Sequence, residues 1–280
     1  MSTLVRDGLL QKERTLADWL SGAGSALVGY SGGVDSSYLA VMAREVLGRD
    51  RCLAVLGRSP SVPDAQWRAA ARLAGARDIP LLVVATDEVS DPRYAANPVN
   101  RCYYCKAVLW SVLGPMAAER GLSVVIDGTN ADDVREYRPG AGAAREAGVR
   151  SPLAVAGLAK HEIRELSRRR RLETWDQPAA PCLSSRIPYG LAVTPDRLGE
   201  VERAEAALRA LGLRGNLRVR HHGDLARVEL DTTELDAWLD AARVEVLADA
   251  VRRAGFARVS VDLRGFRSGS LNVLEGVTAG

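Results

Sequence analysis

Short apolar runs alternate with segments of helical periodicity through the first half of the chain. The runs around Ala26–Tyr30, Cys52–Gly57, Pro80–Thr86 and Leu122–Asp127 are aliphatic, brief, and bounded by Gly, Pro or charged residues, as buried strands are. Between them, Leu9–Leu20, Ser36–Leu47, Pro63–Ala74 and Asn100–Ala118 repeat apolar positions at three- and four-residue intervals and read as helices. Strand–helix alternation of this kind predicts an α/β fold, with a parallel sheet covered by helices on both faces. Residues 131–152, rich in Gly, Ala and Asp, read as partly irregular, and a helix is expected over Lys160–Arg171.

The pattern changes after Pro178-Ala179-Ala180-Pro181. A helix over Pro195–Leu211, strands at Leu217–Val219 and Ala226–Leu230, one long helix over Thr233–Gly255 and a strand at Ala257–Leu263 predict a smaller α+β unit with a partly antiparallel sheet. The expected domains are therefore residues 1–180 and 181–280.

Composition narrows the setting. Arginine dominates the basic residues, with lysine only at positions 12, 106 and 160. The net charge of +3 supplies no broad basic field, so binding of a long polyanion is not demanded. The opening Met1–Asp7 lacks the apolar core of a signal peptide, and no apolar run is long enough to span a bilayer, so a cytoplasmic location is expected. In that compartment the four cysteines are read as thiols, metal ligands or catalysts rather than disulfides.

The chemistry centres first on Ser31-Gly32-Gly33-Val34-Asp35-Ser36-Ser37, between a strand and a helix. Two glycines allow a tight turn, and the helix N–H groups that follow face an anion. Ser31, Ser36 and Ser37 add hydroxyls, and Asp35 is placed to organise the turn or a Mg²⁺ ion. The spacing fits neither a Walker loop nor a dinucleotide fingerprint. Asp127-Gly128-Thr129-Asn130 closes the fourth strand, where open sheets hold ligands, and Asp132 and Asp133 are candidate Mg²⁺ ligands beside it.

Cys102 and Cys105 form a CxxC pair, and Cys182 stands alone in Pro181-Cys182-Leu183-Ser184-Ser185-Arg186. By themselves they leave open a redox pair, part of a zinc site, or three ligands of a [4Fe–4S] cluster with one iron open. Cys52, inside an apolar strand, reads as a buried small hydrophobe.

The Ser31–Ser37 string resembles the PP-loop of the N-type ATP pyrophosphatases. Together with Asp127–Asp133, Pro181–Arg186, Arg218–Asp224, Ala226–Glu229 and Asp262–Ser270, it resembles the LarE family over nearly the whole chain. That resemblance implies an adenine nucleotide alpha hydrolase-like fold and an ATP-dependent sulfurtransferase of nickel-pincer nucleotide biosynthesis, serving lactate racemase and related enzymes. The implied substrate is pyridinium-3,5-biscarboxylic acid mononucleotide, activated as an acyl-adenylate with release of AMP and pyrophosphate. The implied ATP contacts are Ser31–Ser37 and Asp127–Asn130, with Asp35 and Cys182 as the catalytic candidates. Cys182 matches the cysteine that single-cysteine members convert to dehydroalanine. Cys102 and Cys105 match a variant in which all three thiols hold a [4Fe–4S] cluster.

Arg218 and Arg220 match positions for substrate phosphate or metal. With Arg186 they offer planar donors suited to phosphate and carboxylates. Glu229 matches such a position too, and Glu205 is a further candidate for a metal or supporting role. Arg264, Arg267, Ser268 and Ser270 form another donor-rich turn. A small sulfur donor and a homo-oligomer are implied, a hexamer among the forms allowed, while a membrane or nucleic-acid partner is not. The rival readings are a PP-loop tRNA thiolase, an ammonia-using adenylating ligase, and a non-catalytic nucleotide sensor.

Overall fold

The computed structural model describes residues 3–135 and 138–267. Among the described residues, those within 3–59, 64–88 and 100–180 form one compact unit, and those within 60–63, 89–99 and 181–267 form the other.

The first unit contains α1 (Thr3–Ala23), β1 (Ala26–Gly29), α2 (Val34–Leu47), β2 (Cys52–Arg58), α3 (Asp64–Ala76) and β3 (Leu81–Ala85). The short helix α4 (Pro92–Ala95) belongs to the second unit, after which α5 (Arg101–Glu119) and β4 (Val124–Ile126) return to the first. Three more helices complete it: α6 (Pro139–Glu146), α7 (Pro152–Val155) and α8 (Lys160–Arg169).

All four strands are parallel, in the order β3-β2-β1-β4. Their side chains alternate between faces, and both faces are apolar. Ala26, Val28, Ala54 and Leu56 pack with Leu16 and Leu20 of α1, the buried side of α2, and Ile163 and Leu166 of α8. Leu27 and Val55 face the other way, onto Trp110, Leu113 and Ala117 of α5 and Ala143 and Ala144 of α6. Helices thus cover both faces, as the near-continuous apolar strands require. Within 131–152 the described residues are turns and short helical pieces, as expected, and α6 forms where small Ala143 and Ala144 let it pack closely on α5.

The second unit is built on α9 (Pro195–Ala210), β5 (Leu217–His222), β6 (Leu225–Leu230), α10 (Thr232–Trp238), α11 (Ala241–Arg253) and β7 (Arg258–Val261). Its sheet is mixed: β5 pairs antiparallel with β6, and β6 pairs parallel with β7. The single long helix expected after Thr233 is two helices. The break comes at Asp240, whose carboxylate accepts from the N–H groups of Ala242 and Arg243 at 3.0 Å and starts α11 afresh. Asp240→Ala should cost about 1 kcal/mol of stability through loss of this cap, measured as a small shift in urea midpoint.

No helix among the described residues is long and apolar enough to cross a membrane.

Candidate functional site

Strand order reverses direction at β1 and β4, the switch point where open α/β sheets bind ligands at their carboxyl ends. The loop after β1 is held down at both sides. Tyr30 donates its hydroxyl to the Ala70 carbonyl at 2.9 Å, and Gly32 turns with φ +75° against α3. A Cβ at Gly32 would collide with Ala70, and the left-handed backbone disfavours any other residue. Gly33 is the N-cap of α2 and offers no side chain to its first N–H groups, which are left for an anion. Ser36 shares its hydroxyl with Ser31 at 3.0 Å, while Ser37 is fully buried and Ser31 is exposed. Gly32→Ala should therefore weaken ATP binding about 10²-fold by displacing the loop, measured by equilibrium titration.

The loop after β4 packs directly on this turn: a Cβ on Gly128 would stand 2.9 Å from the Ser36 nitrogen. Asp127 is fixed by Thr129, whose hydroxyl donates at 2.8 Å, and by Ser151 at 2.7 Å. Buried Asn130 accepts from the N–H groups of Asp132 and Asp133, and Asp133 accepts from the Asn130 N–H in return. The two aspartates differ in task. Asp132 accepts the N–H of Lys160 at 2.8 Å and so caps α8. Asp133 pairs with Arg138 at 2.6 Å, and its partial burial pushes its carboxyl pKa up.

Asp35 accepts the Lys160 ammonium on Oδ2 at 2.5 Å, whereas its buried Oδ1 has no hydrogen-bond partner. That orphaned oxygen, with Asp133 nearby, fits a Mg²⁺ ligand. A cavity of about 490 Å³ opens from this floor, lined by Asn100, Tyr103, Asp127, Thr129, Asp133 and Arg145 among others.

Cys182 belongs to the second unit, as N-cap of a 3₁₀ turn over Leu183–Arg186. The turn is anchored by residues distant in sequence. The Leu183 N–H donates to the Ser61 carbonyl at 2.8 Å, and Tyr94 and Ser184 share a 2.5 Å hydroxyl contact. Buried Asn97 donates to the carbonyls of Pro188 and Leu191 at 2.7 and 2.9 Å. Cys182 itself is half-buried, and its carbonyl accepts from Arg186 at 3.0 Å.

Arg186, Arg218 and Arg220 are all buried in this unit. Arg186 forms a two-pronged pair with Glu205, at 2.9 and 3.0 Å. Arg220 meets Glu229 at 2.7 Å, and Arg227 reaches the other Glu229 oxygen at 3.0 Å. Arg218 lies 5.1 Å from the Phe266 ring centroid. Burial, then the like charge of Arg186, pulls the Arg218 guanidinium down to about 10, so it stays cationic at neutral pH. Each cation in this concentration would gain from an anion. Arg264 instead turns back to Asp262 at 3.3 Å, and Ser268 and Ser270 lie outside the described residues.

The CxxC pair starts α5, with Cys102 exposed and Cys105 half-buried, three residues apart and so on one helical face. Two accessible thiols on one face fit part of a cluster ligand set. Among the described residues no group of three His, Cys, Asp or Glu side chains is assembled as a metal centre. Cys52 is buried in β2, and burial pushes its thiol up to about 11, as an inert core position requires.

Sequence reasoning missed Lys160, Ser61, Tyr94 and Asn97. Their signal is weak, because each acts through a partner far along the chain.

A family profile described as NAD synthase matches residues 14–91, which include the loop after β1. The chain is 44% identical over 247 residues to an uncharacterized protein of Synechocystis sp., covering 88% of this chain and 91% of that protein. An uncharacterized protein of Methanocaldococcus jannaschii is 27% identical over 242 residues, covering 86% of this chain and 90% of its own length. The pyridinium-3,5-bisthiocarboxylic acid mononucleotide synthase of Lactiplantibacillus plantarum is 37% identical over 268 residues, covering 94% of this chain and 95% of that protein. At 94% of the chain, that similarity extends over both units. The chain belongs to the LarE family of PP-loop ATP pyrophosphatases, an ATP-utilising family that includes this mononucleotide synthase.

Proposed function

We propose that this enzyme adenylates a carboxylate of pyridinium-3,5-biscarboxylic acid mononucleotide and replaces an oxygen with sulfur, giving first one thiocarboxylate and then two. The observation that carries the reading is the similarity, across both units, to a synthase named for the dithio product. A carboxylate oxygen attacks the α-phosphorus of ATP, the α–β bridging bond breaks, and pyrophosphate departs. A sulfur nucleophile then displaces AMP. The loop at Ser31–Ser37 and the Asp127–Asn130 turn would hold ATP, with Asp35 and Asp133 on Mg²⁺. Holding the reactants in line supplies much of the rate. Arg186, Arg218 and Arg220 would receive the phosphate and carboxylates of the acceptor, with Glu205 and Glu229 fixing the guanidinium planes.

Cys182 would deliver the sulfur. In the three-cysteine form of the reaction, Cys102, Cys105 and Cys182 would hold a [4Fe–4S] cluster, which when bound supplies replaceable inorganic sulfur and spares the protein's own. A small sulfur donor, a cytoplasmic setting and a homo-oligomer belong to the same reading.

The NAD synthase match keeps an ammonia-using ligase as the second reading, although it spans residues 14–91 only. The deciding assay supplies ATP and Mg²⁺ with the pyridinium dicarboxylate, with bulk tRNA, or with ammonia and a carboxylate acceptor. AMP and pyrophosphate in equal amounts, dependent on the dicarboxylate, support the reading. Dependence on tRNA or ammonia points to those rivals, and ATP binding without AMP in any mixture points to a sensor.

A further inference from the structure

We infer, on the adenylation reading above, that Tyr94 is a positioning residue for sulfur delivery. Its hydroxyl sets the place of the turn that carries Cys182, so its loss slows sulfur transfer and leaves the ATP step intact.

Three hydroxyls meet at that turn. Tyr94 Oη stands 2.8 Å from Ser61 Oγ and 2.5 Å from Ser184 Oγ, and the two serine oxygens are 3.2 Å apart. Each of the three residues is 2% exposed or less. Ser184 follows Cys182 by two residues in one 3₁₀ turn, and the Ser185 N–H donates to the Cys182 carbonyl at 3.0 Å. A shift of Ser184 is therefore passed to Cys182 through a single turn of backbone. Arg186 holds the same stretch through the Pro181 and Cys182 carbonyls, at 2.6 and 3.0 Å, and is itself fixed by Glu205. Cys182 supplies no side-chain cap of its own, so these neighbours decide where it sits.

Tyr94 works from a fixed base. It lies in α4, which opens on Asp91, whose carboxylate accepts the Arg93 N–H at 2.9 Å. Just past the helix, fully buried Asn97 takes up left-handed backbone with φ +55°. Its amide donates to the Pro188 and Leu191 carbonyls, and its own carbonyl accepts the Gly190 N–H at 3.0 Å. The Ala95 carbonyl accepts the Val193 N–H at 2.8 Å. Residues 89–99 thus grip the chain beyond Cys182 from Ser184 to Val193, all within the second unit.

A buried hydroxyl cluster costs desolvation that apolar side chains of the same shape would avoid. What it adds over packing is direction, because hydrogen bonds weaken steeply away from their preferred geometry. Sulfur delivery needs that direction: a nucleophile misplaced by about 1 Å can lose on the order of 10²-fold in rate. Tyr94→Phe separates placement from packing. It keeps the buried ring, and the two serines keep their mutual contact, while the bond that draws Ser184 toward position 94 is gone.

The test is a rapid-quench single turnover of the full chain with MgATP and the pyridinium dicarboxylate, reading pyrophosphate and thiocarboxylate from the same samples. Tyr94→Phe, Ser184→Ala and the double variant are compared with wild type. Pyrophosphate should appear at the wild-type rate, with the same dependence on acceptor concentration, while thiocarboxylate forms about 10- to 100-fold more slowly. Both substitutions break one contact, so the double variant should lose no more than the slower single variant. A purely structural role would lower both products together, in proportion to the folded protein. That pattern overturns the inference, as do wild-type rates of both products or losses that multiply in the double variant. If Tyr94→Phe does not fold, Ser184→Ala carries the same comparison. Wild-type protein that releases no pyrophosphate with the dicarboxylate, or forms no thiocarboxylate, overturns the functional reading and the inference together.

Discussion

Cys182→Ala should produce no thiocarboxylate at all while still binding MgATP with wild-type affinity. The separation follows from where the parts lie: the phosphate loop is in the first unit and the Cys182 turn in the second. The substitution removes sulfur without unmaking the turn, since Cys182 contributes no side-chain cap and the backbone bonds to Ser61 and Arg186 remain. Both routes to sulfur fail, because one consumes this thiol and the other uses it as a ligand. Product per chain, read by mass spectrometry, checks the outcome, and thiocarboxylate from the variant would remove Cys182 from the chemistry. The double variant Cys102→Ala/Cys105→Ala then separates the routes. Cluster-borne sulfur predicts loss of multiple turnovers, whereas a sacrificial Cys182 predicts an undiminished single turnover and dehydroalanine at that position.

Glu229→Gln should destabilise the second unit by about 3–5 kcal/mol, the usual cost of stripping one partner from a buried ion pair. Glu229 is fully buried, with Arg220 on one oxygen and Arg227 on the other. Glutamine keeps the shape but removes the charge, so buried Arg220 and partly buried Arg227 lose their shared counter-ion. Urea unfolding monitored through this unit would show the loss, and a change below about 1 kcal/mol, as for an exposed pair, would contradict it. Added phosphate should partly restore the variant if the arginines take the acceptor's anionic groups.

The sheet was legible in the sequence because each parallel strand is apolar on both faces and stands out against amphipathic helices. The phosphate loop was legible because its requirements are local: a φ of +75° at Gly32 and an open helix start at Gly33 leave few alternatives. Long-range polar contacts were not. Lys160 reads as the first residue of a helix, and nothing near it announces Asp35. Ser61, Tyr94 and Asn97 lie in linking segments of the first half yet support the Cys182 turn, because the chain crosses to the second unit and back. The long helix read after Thr233 failed for a local reason: apolar periodicity runs through Trp238 and Leu239, and it masks the capping role of Asp240. The helix α6 was hidden by its composition, since Gly and Ala give little pattern until Ala143 and Ala144 meet α5.

The central claim is that ATP activates the acceptor's own carboxylate. It is tested most directly by following oxygen from that carboxylate. With ¹⁸O in the carboxylates of the pyridinium mononucleotide, ATP of natural abundance and unlabelled water, each thiocarboxylate formed should be matched by one AMP carrying a single ¹⁸O in its phosphate. AMP without label, or label found in pyrophosphate, would contradict an acyl-adenylate.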